Sequence, residues 1–245
     1  MAFRGGFPEA VRLKTQKDRK EWHKDYIAAL LKKDLKDVTD INRQDILKDL
    51  IGVLASWSGK FMDMSPVCSS LGLSRPTVIS YVNAIEALFL FERVAPWIKT
   101  DYERVGRRHK YYAGDTGFMT AVLGWKYDDM LSKPDRSGKL METFVFQELA
   151  AQIDLDSSYS LYQYRDREKR EIDFLVERED GALVGIEVKA SHSVSSGDFA
   201  HQKWFRDNIV KDKKTYIGIV LYSGEQTLSF GENLLAVPIA ALWTE

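Results

Sequence analysis

The sequence predicts an α+β / α/β chain in two parts, a helical N-terminal region with a winged helix-turn-helix and then an αβββαβ domain. Three observations carry this. Apolar residues recur at three- and four-residue steps through the first third of the chain. A short helix signal, a glycine turn and a longer capped helix follow, with two strand-like runs behind them. From residue 138 the pattern becomes a helix, three strands, a helix and a strand, centred on REIDFLVEREDGALVGIEVKAS at 170–191.

At 245 residues the chain has room for two modest domains. The expected division is an N-terminal helical segment at 1–42, the winged helix-turn-helix at 43–125, a linker at 126–137 and the second domain at 138–245. One cysteine, Cys68, excludes an internal disulfide and a Cys-rich zinc site, and it suits a reducing cytoplasm. The N-terminal MAFRGGFPEAV lacks the apolar core of a signal peptide. No apolar run reaches the ~18–20 residues of a membrane span, so no membrane partner is expected. Residues 1–136 carry 23 Lys+Arg against 18 Asp+Glu, and residues 137–245 carry 12 against 18. A mildly basic first part and an acidic second part fit a binding module joined to a metal-using one, or merely uneven solvated surface.

In DRKEWHKDYIAALLKKDLKDV the stripe Trp22, Tyr26, Leu30, Leu31, Leu35 and Val38 predicts a helix, and in QDILKDLIGVLASWSG so does Ile46, Leu50, Ile51, Leu54 and Trp57, with Gly59 as its stop. Ser65-Pro66 reads as a helix start, Leu71-Gly72-Leu73 as a tight turn, and Ser74 as the cap of a helix burying Val78, Tyr81, Val82, Ile85 and Leu88. LFERVAPWI and RRHKYYAGD then read as strands around a basic loop. On a winged helix-turn-helix, Arg75, Thr77, Ile79 and Ser80 would face a DNA major groove. Arg104, Arg107, Arg108 and Lys110 in the wing would meet phosphate or a minor groove. Such folds also serve as protein-binding modules.

GWKYDDMLSKPDRSG loses apolar periodicity and reads as the linker. KLMETFVFQELAAQI is a helix with Leu140, Phe144, Val145 and Leu149 inward, SSGDFAHQKWFRDNI is a helix capped near Ser196, and KKTYIGIVLYSG is an apolar strand. Further strands are expected near QTLSFG and NLLAVPI. The four histidines, His23, His109, His192 and His201, show no metal spacing and read as surface residues.

Strand alternation in ALVGIEVKA sets Glu187 and Lys189 on one face, and in EIDFLV it sets Asp173 opposite Phe174. A two-residue loop at Asp180-Gly181 would put the two carboxylates on opposite faces. A three-residue loop, Glu179-Asp180-Gly181 with Gly181 left-handed, pairs Asp173 with Glu187. If they converge, Asp173, Glu187 and the carbonyl of Val188 would hold Mg²⁺ (or Mn²⁺) for phosphodiester hydrolysis, with Lys189 orienting water or stabilising transition-state charge. The chain holds four acid-x-Lys triplets, at Asp18, Asp34, Glu187 and Asp212. Only that of Glu187 lies in an apolar strand one strand after an inset Asp.

Gly138…Glu142, Glu171-Ile-Asp173 and Ile186-Glu187-Val-Lys189 together resemble the PD-(D/E)XK nuclease superfamily, in its Holliday-junction-resolvase-like branch. The resemblance implies a restriction-endonuclease-like fold, a third carboxylate at Glu142 and a polar contributor at Gln202. GGFPEAV, DYIAALLKKDLKD, LSRPTVISYVNAIEALFLFERVAPW, KYYAGDTGF, METFVFQEL, YRDREKREIDFLVE and IEVKAS also resemble the C-terminal region of prokaryotic, archaeal-type AAA ATPases. Proteins of that kind carry a nucleotide-binding domain ahead of this region, and this sequence has no Walker A pattern, so ATP hydrolysis by this chain alone is not expected. The expected function is a Mg²⁺-dependent DNA nuclease with a DNA-binding winged helix. The alternative is a catalytically inactive DNA- or protein-binding module of an ATPase.

Overall fold

The apolar stripes of the first third do fold as helices, but the first buries Leu31 of its expected line together with His23 and Ile27, each one residue beyond the expected Trp22 and Tyr26. A computed structural model describes residues 1–33, 44–98, 108–210 and 215–243. In α2 (Gln16–Lys33), which follows the short α1 (Pro8–Arg12), the buried line is His23, Ile27 and Leu31. Trp22 and Tyr26 stack on each other instead, ring centroids 5.2 Å apart, with Phe7 against both. Leu35 and Val38 lie outside the described residues. α3 (Gln44–Ser56) buries Ile46, Leu47, Leu50, Ile51 and Leu54, and the turn after it closes at Gly59, φ +75°, whose N–H donates to Tyr111.

Next come β1 (Lys60–Phe61) and α4 (Met64–Leu71). The α4 cap is Asp63 and not Ser65, for the Asp63 side chain accepts from the Ser65 N–H. Gly72 ends α4 in the left-handed region, where the absence of a Cβ removes the steric cost. Ser74 then caps α5 (Arg75–Ala87), which buries Val78, Tyr81, Val82, Ala84 and Ile85. β2 (Phe91–Pro96) and β3 (Lys110–Ala113) follow, and β3 pairs antiparallel with β1. The predicted linker is folded. α6 (Thr116–Val122) precedes it, and it contains α7 (Asp128–Ser132) and the start of α8 (Pro134–Ile153). Asp129 ties it together, accepting from the Lys126 N–H, Lys133 and Arg136.

The contacts divide the chain into two units, Met1–Arg93 with His109–Phe144, and Val94–Arg108 with Val145–Glu245. The predicted segments 1–42 and 43–125 share one core in the first unit, where Ile27 and Leu31 pack with Leu47, Val82, Phe91 and Phe118.

The second unit is built on a mixed sheet. β4 (Tyr159–Arg165), β5 (Glu171–Arg178) and β6 (Leu183–Lys189) are consecutive antiparallel neighbours. A 3₁₀ turn (Ser196–Phe199) and α9 (Ala200–Asn208) then cross to β7 (Tyr216–Tyr222), parallel to β6, and β7 pairs parallel with β9 (Leu234–Pro238). The edge strand is β8 (Leu228–Ser229), antiparallel to β9. α9 drives Phe205 among Tyr164, Ile172, Leu175, Leu183 and Tyr216, while Phe146 of α8 stacks on Phe174. Among the described residues, no helix is long and apolar enough to cross a membrane.

Candidate functional site

The turn between β5 and β6 decides which way the two inset carboxylates point. Arg178 donates its N–H to the carbonyl of Ala182, closing a three-residue loop, Glu179 to Gly181, with Gly181 at φ +82°. Arg178 grips Asp180 at 2.6 and 3.0 Å, and Asp180 also accepts from the Ala182 N–H. The resulting register sets Phe174 opposite Ile186 and Leu175 opposite Gly185. Carried one residue further, it puts Asp173 opposite Glu187, on one face of the sheet.

At that step the ladder stops. Asp173 Oδ2 accepts from the backbone N–H of Val188 at 3.0 Å, so a side-chain carboxylate takes the donor that a strand carbonyl would otherwise hold. The cause lies on the other side of β5. Between Tyr162/Leu175 and Tyr164/Ile172 the β4–β5 register shifts, a bulge at Asp173 and Phe174. A bulge bends a strand and re-aims its side chains.

Beyond Glu187 on the same face comes Lys189, its ammonium 3.8 Å from Glu187 and 3.9 Å from Asp198. Asp198 escaped the sequence reading. It completes a capping box with Ser195, receiving that residue's N–H at 2.8 Å and hydroxyl at 2.9 Å, so the cap is Ser195 and not Ser196. The Ser-x-x-Asp spacing could have revealed the cap, but the reach to Lys189 needs the fold. Gln202 is fully buried on α9, and its Nε2 donates to Ile219 at 2.8 Å. Its Oε1 has no hydrogen-bond partner among the described residues and fills the space a side chain at Gly218 would occupy.

Tyr216 lies beneath this surface. Burial, then the charge of Glu187, pushes its phenol well above the usual range, so the hydroxyl stays protonated. It rests where a Cβ on Gly185 would stand. Gly185→Ala is therefore expected to destabilise the chain by about 2 kcal/mol through overpacking. The double variant Gly185→Ala/Tyr216→Phe should regain part of that loss in urea unfolding; strictly additive effects would remove this explanation.

The other expected site residues lie elsewhere. Glu142 belongs to the first unit, where its Oε1 accepts from Tyr112 at 2.7 Å and pairs with Lys110 at 3.2 Å. That arrangement holds the Glu142 carboxylate in an ion pair and a hydrogen bond within the first unit. It also removes Lys110 from the wing, because Lys110 sits in β3 with only 1% of its surface exposed. Arg75, Ile79 and Ser80 are exposed on α5, whereas Thr77 is half-buried, its hydroxyl bonded to Ser74. Arg108 is exposed, and its carbonyl accepts from Gln163. Arg104 and Arg107 lie outside the described residues. His23, expected at the surface, is buried. Among the described residues, no three carboxylate, imidazole or thiol side chains form a ready-made metal cage.

A family model described as a domain of unknown function (DUF8612) matches residues 1–129, just over half of the chain, and another, described as a domain of unknown function (DUF4143), matches residues 137–242. The chain is similar to Uncharacterized protein Rv2008c of Mycobacterium tuberculosis and Uncharacterized protein Mb2031c of Mycobacterium bovis, 25% identical to each over 241 residues. Those alignments cover 98% of this chain and 52% of each relative, so the chain spans about half the length of the curated relatives it matches. No solved structure matches it significantly.

Proposed function

We propose that this chain, which belongs to the family described as a domain of unknown function (DUF8612), is a divalent-metal-dependent DNA nuclease whose catalytic centre lies in its second unit. One observation carries the reading: the loop register and the bulge bring Asp173 and Glu187 to one face where β5 and β6 part.

The donor set suits Mg²⁺ or Mn²⁺, which take one or two carboxylates and complete their shell with water and phosphate oxygens. Asp173, Glu187 and the Val188 carbonyl would hold the ion. Bound there, it would polarise the phosphate and acidify the attacking water. The Val188 N–H fixes the Asp173 carboxylate, limiting its rotation. Lys189, its side chain 35% exposed, has the reach to turn its ammonium toward a phosphate oxygen as charge builds on it. Gln202 would act as a positioning residue through its packing on β7.

The restriction-endonuclease-like reading rests on the order α8, β4, β5, β6, α9, β7. The winged helix-turn-helix reading rests on α4, the Gly72 turn and α5, with β2 and β3 behind them. DNA would meet Arg75, Ile79 and Ser80 on the exposed face of α5, and the basic residues that precede β3 in the sequence. The AAA ATPase resemblance makes an ATPase region the natural protein partner. One observation favours a second reading, a silent binding module: Lys189 stands between Glu187 and Asp198, and among the described residues no three carboxylate, imidazole or thiol groups are gathered for a metal.

The test is cleavage of single-stranded, duplex and branched DNA by the full chain with Mg²⁺ or Mn²⁺. Asp173→Asn and Glu187→Gln should each lower the rate by about 10²–10³-fold, the scale of losing one main electrostatic stabiliser. Metal-dependent cutting that survives both substitutions would sink the site assignment. Absence of cutting, with a gel shift weakened by Arg75→Ala, would establish the binding module.

A further inference from the structure

We propose that the first unit holds a separate anion site, a small basic cavity between α2 and α6 that takes the phosphoryl group of a phosphate or phosphate ester. Its lining includes Arg4, Gln16, Arg19, Lys20, His23 and Gly117. Three of these residues, Arg4, Arg19 and Lys20, carry cations, and among the described residues no carboxylate lines the cavity. The cavity measures about 20 Å³ and opens to solvent on one side. That is room to seat one or two oxygen atoms, with the rest of the ligand outside.

The second observation is His23. It is 1% exposed, lines the cavity, and neither ring nitrogen has a hydrogen-bond partner among the described residues. Buried polar atoms are nearly always satisfied, so two orphaned nitrogens on one ring mark a missing partner. A neutral imidazole offers one donor and one acceptor. A monoprotonated phosphate offers the complement, an acceptor oxygen and a hydroxyl. Gly117 keeps the space open, since a Cβ there would stand 2.9 Å from His23 Nε2 and collide with the Arg4 carbonyl.

The basic groups are also arranged for a ligand. Arg19 is anchored by its Nη1 bond to the Leu13 carbonyl at 2.6 Å, and Gln16 by its Nε2 bond to Trp125 at 2.9 Å. Burial and the like charge of Arg4 both disfavour the Arg19 cation, and only Asp18 pulls the other way. Two guanidinium groups of like charge lining one small cavity suit an anion between them. Guanidinium donors and a phosphate match in geometry and charge.

The experiment is calorimetric titration of the full chain, in phosphate-free buffer at fixed ionic strength, with inorganic phosphate, a nucleoside monophosphate, and sodium chloride as control. Saturable one-to-one phosphate binding is expected. Arg4→Gln and Lys20→Gln, substitutions outside the core, should each weaken it about tenfold, the loss of one charge-assisted hydrogen bond. His23→Leu should weaken it likewise, and the nitrogen chemical shifts of the His23 ring should move on binding to the wild type. Binding of inorganic phosphate alone would identify the free anion as the ligand. Binding of both would identify a phosphoryl group carried on a larger molecule. Phosphate heats no different from chloride, or Arg4→Gln and Lys20→Gln binding as the wild type does, would overturn the site and leave the cavity to water.

Discussion

Glu142→Ala is expected to cost about 3–5 kcal/mol of folding stability, the usual penalty for stripping a buried ion of its partner. Lys110 reaches Glu142 from β3, with its ammonium also 5.6 Å from the Phe61 ring, and Tyr112 donates to the same carboxylate oxygen. Gly59 closes over the carboxylate, for a Cβ there would come within 3.1 Å of Glu142 Oε2. The alanine variant leaves the Lys110 charge in a site built around a counter-ion. Glu142→Gln keeps an acceptor for Tyr112 but not the charge, and should fall between the two. Urea unfolding of the three proteins checks this. A variant as stable as the wild type but unable to cut DNA would overturn this expectation and place Glu142 in the catalytic set.

Acid should weaken the same unit through a different group. Burial holds the His23 imidazole at a pKa of about 4, against an ordinary value of 6.5. Between those two values the unfolded chain binds the proton and the folded chain does not. Stability is therefore full above pH 6.5 and is lost as pH falls toward 4, by up to about 3 kcal/mol. Asp115 works in the opposite sense at the acid end, because burial raises its carboxyl despite the N–H donors of Gly6 and Phe118. The comparison that isolates the imidazole is therefore wild type against His23→Gln, unfolded with urea at pH 7 and pH 4.5 without phosphate. The wild type should lose more on acidification. Parallel losses would show that His23 is not the group responsible.

Local rules made much of this molecule legible. The Ser74 cap and the Gly72 turn are short-range devices; the loop at Asp180-Gly181 is legible in the sequence only as one of two lengths, and the structure holds the three-residue one that sets the parity of Asp173 and Glu187. What escaped depends on distant partners. The bulge that re-aims Asp173 arises from pairing with Tyr162 and Tyr164, which nothing in EIDFLV announces. Lys110 reads as a wing cation until Glu142, 32 residues on, closes over it. The residues at 126–137 lack apolar periodicity because Asp129 organises them through polar bonds. On α2, apolar and aromatic side chains cover so much of the circumference that periodicity alone could not choose between the Trp22 line and the His23 line.

The loose setting of Lys189 has a consequence for experiment. Its two ion pairs are long and reach into solvent, and pairs of that kind contribute at most about 1 kcal/mol each to stability. The fold does not lean on this amine. Lys189 is therefore a removable handle on the chemistry, one whose replacement by methionine leaves the scaffold in place, so that a change in turnover there reports on the reaction itself.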